Sequence, residues 1–151
     1  MLTASKVHTG ARRFREAYSA FMAPLSRELG MAQTALDILL FLANNPGMDT
    51  ARDICAYMHL KPGIVSFHVD NLVREGLLER RPSPIDRRRC PLACTAQANP
   101  VLMRGKQMQK EFSQKLTRGL SPRELEVCMH CLDVFERNLS ELPGDRSRTQ
   151  I

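Results

Sequence analysis

The chain has 151 residues, 43% hydrophobic and 25% charged. That is about one domain, or a small domain with accessory helices, and the composition excludes an intrinsically disordered chain. Lysines and arginines number 22 against 16 acids, a net charge of +6 that favours a polyanionic partner, and no apolar run reaches membrane-spanning length.

The first helix is expected to begin between Thr3 and Thr9 and to run to about Glu28. Phe14, Tyr18, Phe21, Leu25 and Leu29 recur along it at helical spacing. Pro24 removes an amide donor late in this helix, where a bend is expected. A second helix, about Ala32 to Ala43, is apolar nearly all round, which marks a central, buried element. Asn44-Asn45-Pro46-Gly47 stops it. Thr50 with Asp53 fits a capping box at the start of a short third helix, whose inner face is Ile54, Cys55 and Met58.

His59-Leu60 forms a turn, and Lys61-Pro62-Gly63 opens a fourth helix with Pro in its first turn. Val65, Val69, Leu72 and Val73 form the buried stripe of that helix. Lys61, Pro62, Ser66, Phe67, Asp70 and Asn71 are left on the other side. Gly76 ends it. Leu77 to Arg81 reads as a strand, Pro82 to Asp86 as a loop, and Arg89 to Cys94 as a returning strand in which Pro91 needs an edge position. A fifth helix is expected from Ala96 or Pro100 to Arg118. Val101, Met108, Phe112 and Leu116 lie on one face, and Gly105 sits where a close neighbour fits. Ser121-Pro122-Arg123-Glu124 supplies a cap, a first-turn Pro and a capping Glu for a sixth helix to about Leu139. That helix has two apolar stripes: Leu125, Cys128, Leu132, Phe135 and Leu139, and Val127, Cys131 and Val134. Two greasy faces need two packing partners, and the second is expected to be another copy of the chain.

The expected fold class is mainly α (α+β): a winged helix-turn-helix with N- and C-terminal helices, to which the family resemblance given below assigns dimerisation. Residues 1–30 are expected to be the N-terminal dimerisation helix and 31–95 the winged helix-turn-helix. Residues 96–142 are expected to be the C-terminal dimerisation helices and 143–151 a flexible tail, in one intertwined domain. Two helices at an angle can set the second in a DNA major groove, with a basic hairpin reaching the flanking backbone.

The candidate site follows from that placement. Lys61 at a helix start suits a phosphate or guanine, with Pro62 and Gly63 beside it. Ser66 and Asn71 can hydrogen-bond base edges or phosphates. Phe67 either touches a thymine methyl or packs on the wing. Arg87, Arg88 and Arg89 cluster at the hairpin tip, where cations meet phosphates or a narrow minor groove; the alternative is a solvated basic turn. Strand alternation turns one of them inward. Arg88 is expected to pair with Asp70 or Asp86 and brace the wing, leaving Arg87 or Arg89 for DNA. His68 reads as a satisfied, half-buried residue.

Five cysteines are present: Cys55, Cys90, Cys94, Cys128 and Cys131. The odd count, with a Met1 to Lys6 start lacking an apolar signal core, leads to an expectation of reduced thiols in the cytoplasm. Cys128 and Cys131 are helical neighbours, but His130 points elsewhere, so the trio does not converge on one ion. No metal or cofactor is expected. A Gly-rich phosphate loop, a Ser nucleophile elbow and a paired His-Glu helix motif are all missing from the sequence, which argues against an enzyme.

Leu60 to Leu78 resembles the recognition-helix segment of the MarR family of bacterial transcriptional regulators, through Val65, Ser66, Val69, Asp70, Leu72, Gly76 and Leu77. Asp86-Arg87-Arg88 followed by Thr95 resembles that family's wing. The helix order agrees over nearly the whole chain. The resemblance implies a homodimer held by the first, fifth and sixth helices, each subunit engaging half of a palindromic operator. It further implies a repressor released by a small-molecule effector. A metal- or thiol-responsive regulator and a winged-helix protein–protein module are the alternatives. The sequence departs from the family pattern at Phe67, where Arg or another polar residue is common, and at His68, Pro91, Cys94 and Ala98.

Overall fold

The computed structural model describes all residues except 2, 82–88 and 143–151. The expectations placed on Pro82 to Arg88, Asp86, Arg87 and Arg88 among them, and on the tail 143–151 lie outside the described residues.

Among the described residues six helices and a two-stranded sheet follow one another: α1 (Ala4–Glu28), α2 (Gln33–Asn44), α3 (Ala51–Met58), α4 (Pro62–Arg74), β1 (Leu78–Arg80), β2 (Leu92–Cys94), α5 (Asn99–Leu116) and α6 (Pro122–Glu141), with a 3-10 turn at Ala96–Ala98 before α5. This is the mainly helical winged helix-turn-helix read from the sequence. By compactness the chain divides into two units, Met1–Phe112 and Ser113–Ile151.

The first unit is built around α2. Leu36, Ile38, Leu39 and Leu40 are all within 1% of complete burial, so the middle of this helix is enclosed except at the half-buried Asp37. Met22 and Leu25 of α1, Ile54 of α3, Val65, Val69 and Leu72 of α4, and Leu78 and Leu92 of the sheet join the same core. The α1 helix continues through Pro24 to Glu28. Its aromatic side, Phe14, Tyr18 and Phe21, meets Phe112 of α5, with ring centroids 5.3–5.6 Å from the Phe112 ring. Gln109 donates to the Tyr18 hydroxyl at 2.7 Å, and Asn44 donates to Gln109 at 2.9 Å. Arg104 holds the Glu28 carboxylate through both terminal nitrogens, at 2.8 and 2.5 Å. In the second unit, Ser121 caps α6 by accepting from the Glu124 amide, and Glu124 accepts in return from the Ser121 amide at 2.8 Å.

Two strands are shorter than the hydrophobic pattern implied. Among the described residues Leu78–Arg80 and Leu92–Cys94 pair, antiparallel, with Glu79 opposite Ala93. Pro91 has no amide to donate, so the ladder closes through its carbonyl, which accepts from the Arg81 amide at 2.8 Å.

One polar group in α2 breaks the pattern. Asp37 lies half-buried within the apolar run, and its Oδ1 is shut off from solvent with no hydrogen-bond donor among the described residues. Burial pushes its carboxyl from 3.8 up to about 6. The folded state therefore keeps a proton that the unfolded chain releases. Stability contributed by this group is full below pH 3.8, falls as pH rises to about 6, and stays lost above that. A fully dry group with this shift would cost about 3 kcal/mol; with its residual solvent contact the expected cost is about 1–2 kcal/mol. Asp37→Asn keeps the shape and removes the charge. Its melting temperature at pH 7.5 is expected to exceed the parent's by about 3 °C, and the difference to vanish near pH 4. Equal melting temperatures at pH 7.5 would show that the carboxylate is compensated.

Candidate nucleic-acid interface

The site is assembled from α3, α4 and the sheet. Helix α3 starts with a complete capping box: Thr50 Oγ1 accepts from the Asp53 amide at 3.2 Å, and Asp53 Oδ2 accepts from the Thr50 amide at 2.9 Å. It ends at His59, whose φ of 53° turns the chain sharply into α4.

Helix α4 begins at Pro62, with Lys61 extended as its N-cap and no side chain closing that end. The first-turn amides and the helix dipole thus leave a positive end, and Lys61 adds a full charge there. Val65, Val69 and Leu72 pin the opposite side of α4 into the core. What remains outside is Lys61, Pro62, Gly63, Ser66, Phe67 and Asp70, all exposed, with Asn71 half-buried. Ile64 belongs to this surface too, at 47% exposure. The sequence reading passed over it, although its i,i+3 spacing from Phe67 was the signal that the two share a face. Phe67 is the more exposed, at 60%, and its ring meets His68 edge-on at 5.2 Å.

The end of α4 is locked to the wing. The Gly76 amide donates to the Val73 carbonyl at 3.0 Å and the Leu77 amide to the Leu72 carbonyl at 2.9 Å, a closure that needs the left-handed φ of +74° at Gly76. A Cβ at Gly76 would stand 2.8 Å from Gln97 Oε1. The Gln97 amide nitrogen donates to the Glu75 carbonyl at 3.1 Å, and Thr95 donates its hydroxyl to the Gly76 carbonyl at 2.5 Å. The wing's two strands and the helix terminus are therefore one hydrogen-bonded block.

Two ion pairs brace that block. Asp70 on α4 pairs with Arg80 of β1; the pairing expected of Arg88, with Asp70 or Asp86, lies outside the described residues. Arg89 pairs with Asp49 at 2.9 Å, and the Leu92 amide donates to the Asp49 carbonyl at 2.7 Å. Arg89 thus ties the returning arm of the wing to the segment before α3. Sequence reasoning missed Asp49, because the pair spans 40 positions and nothing local marks it.

All five cysteines are free thiols. Burial raises the Cys94 thiol, which lies 3.7 Å from the Leu39 carbonyl, and burial likewise raises Cys55. Both are thereby disfavoured as thiolates. Cys90, Cys128 and Cys131 are exposed. Among the described residues no three His, Cys, Asp or Glu side chains are grouped to hold a metal ion, and no helix is long and apolar enough to cross a membrane.

Comparison with known proteins agrees with this architecture. Residues 29–89 match the model of the MarR family. No curated protein sequence matches the chain. Among solved structures, a MarR-family transcriptional regulator from Silicibacter pomeroyi is 18% identical, covers 88% of this chain and 89% of its own, and superposes with a TM-score of 0.75. The MarR protein from Peptoclostridium difficile is 14% identical over 92% of both chains, with a TM-score of 0.73. The transcriptional regulator PA3341 is 21% identical, over 87% of this chain and 98% of its own, with a TM-score of 0.72. At such identities the superpositions speak for the fold, and the matched segment holds α2 to α4 and the first wing strand. Residues 29–89 are thus similar to the MarR family model, and the chain shares the fold of MarR-family transcriptional regulators.

Proposed function

We propose that this chain is a sequence-specific, DNA-binding transcriptional regulator that acts as a homodimer on a palindromic operator, as a repressor released by a small-molecule effector, in the cytoplasm. The observation that carries the DNA-binding part is the exposed side of α4. It is an outward helix face with an uncapped positive start and Lys61 at its tip, held rigidly beside a wing by the Asp70–Arg80 and Asp49–Arg89 pairs. The segment of sequence between the two strands carries Arg87 and Arg88. A rigid helix reads base edges and cationic side chains beside it fix the register on phosphates. Two such helices, one from each subunit, need a separation of about 34 Å to enter successive major grooves. An effector that prefers a different separation weakens binding by its differential affinity for the two states and by no more. The repressor and effector parts rest on the family resemblance.

Selection of bound duplexes from a random-sequence pool tests this reading, because it reports sequence, symmetry and spacing together. A palindrome with half-sites about one helical turn apart is expected. On that duplex Arg87→Ala is expected to weaken binding about tenfold and to reduce the slope of log affinity against log salt by about 1, the signature of one lost phosphate contact. Unchanged affinity and slope would remove Arg87 from the interface, and failure to enrich any duplex would remove DNA from the proposal.

A further inference from the structure

The exposed face of α4 has an apolar centre between two cations, Lys61 and Arg74, and the exposed Asp70 on that face is engaged by Arg80. Phe67 and Ile64 are large, outward and three positions apart, which makes them neighbours on the helix surface. Phe67 lies on the side away from the buried residues Val65, Val69 and Leu72. One turn before it stands Gly63, where an added Cβ would meet nothing within 4 Å, so the backbone beside the ring is bare and can be approached closely. Lys61 precedes this patch and Arg74 follows it on the same helix, both exposed.

A partner for such a surface is anionic at its rim and apolar at its middle. Resting on the reading above, the geometry points to the thymine methyl groups of the operator's major groove as the occupants of the Phe67–Ile64 patch, which makes these two residues specificity determinants. The thymine C5-methyl is the apolar group that a base pair displays there, and it is displayed only in the major groove. A phenyl ring and a sec-butyl group offer no hydrogen bond. Guanine O6 or cytosine N4 trapped beneath them would be desolvated without a partner, whereas a methyl beneath them loses only water. Ser66 and Asn71 flank the patch and remain available for polar base edges. The chain thereby selects A·T or T·A pairs of one orientation at the positions under α4, and it does so through hydration of a methyl group.

The test uses the full chain and the palindromic duplex recovered from a random-sequence pool, synthesised once with thymine and once with uracil at the half-site positions. Uracil pairs identically and lacks only the methyl. Burying one methyl is worth about a fourfold change in affinity, so removal of one from each half-site is expected to weaken binding by about fifteenfold. Phe67→Ala, which leaves the buried stripe untouched, is expected to bind the thymine duplex at least tenfold more weakly and to bring the thymine-to-uracil ratio close to one. Phe67→Leu should restore most of the ratio, and Ile64→Ala should reduce it in part. Equal affinity of the parent chain for both duplexes would overturn the inference and leave DNA binding standing. So would a Phe67→Ala variant that loses affinity equally for both, or one that binds both as the parent does, the last being the behaviour of a face kept for a protein partner. Enrichment of no duplex at all would overturn the regulator reading itself.

Discussion

Leu132→Asp and Phe135→Asp are each expected to abolish operator binding, with a loss of about a thousandfold or more, and to leave no dimer at micromolar concentration. Both residues lie exposed on one stripe of α6, with Leu125 and Leu139, at 53% and 44% exposure. A contact between identical surfaces places each substituted residue in the interface twice. Every carboxylate so placed forfeits several kcal/mol of hydration, more than the margin of an ordinary dimer. A specific regulator typically binds its site at about 10⁻⁸ to 10⁻¹¹ M, and a single subunit retains only its own half of that free energy. The weaker half is no better than unspecific binding. His130→Asp adds the same charge on the polar side of α6 and is the control: it should remain dimeric and bind normally. Sedimentation velocity reads the mass and fluorescence anisotropy reads the affinity. Either aspartate variant sedimenting as an operator-binding dimer would place the subunit contact elsewhere.

The elements that sequence reading located were those whose signals are local. Thr50 with Asp53 and Ser121 with Glu124 are reciprocal hydrogen bonds within one turn, and both formed as the spacing required. Pro62 opens α4 and Gly76 closes it for reasons contained in their own backbone dihedrals. The buried stripe of α4 was legible for the same reason: helical period and core face are one fact. Three things were not legible. The strands came out shorter, because Pro91 supplies no amide and the Leu92 amide turns to the Asp49 carbonyl instead. The braces Arg80–Asp70 and Arg89–Asp49 join residues 10 and 40 positions apart, and the sequence offered several arginines for each acid. Ile64 was hidden by its neighbours: a lone aliphatic residue beside Val65 reads as core until the helix is turned about its axis. Lys61, Pro62, Gly63, Ser66 and Phe67 are exposed, as the helical period implied, and only the folded chain identifies Arg80 and Arg89 as charges that hold the wing.

A glycine packed against the central helix yields the second large effect. Gly105 of α5 lies fully buried against Leu40 of α2, and a Cβ at position 105 would stand 2.7 Å from Leu40 Cδ2 and 3.0 Å from Cδ1. Leu40 is itself 1% exposed, between Leu39 and Phe41, so it has no solvent into which to swing. Two helices approach closely only where one lacks a side chain, and this glycine is what lets α5 lie on the central helix. Alanine at this position gains about 1 kcal/mol of helix propensity but forces a packed leucine off its rotamer at about 1–3 kcal/mol. Gly105→Ala is therefore expected to be destabilised by about 1 kcal/mol. Gly105→Val adds two methyl groups to the same clash and loses χ1 freedom, and a cost of about 4 kcal/mol or more is expected, a large share of a typical 5–15 kcal/mol stability. The pairing makes the cause separable from a general defect. Leu40→Ala alone should cost about 2–5 kcal/mol through the cavity it leaves. In that background Gly105→Ala meets open space, so the helix-propensity gain should show and the second substitution should stabilise by about 1 kcal/mol. Urea unfolding of the four proteins measures this cycle directly. If Gly105→Ala costs the same with Leu40 present or truncated, the leucine is not what the glycine accommodates, and the approach of α5 to α2 has another origin.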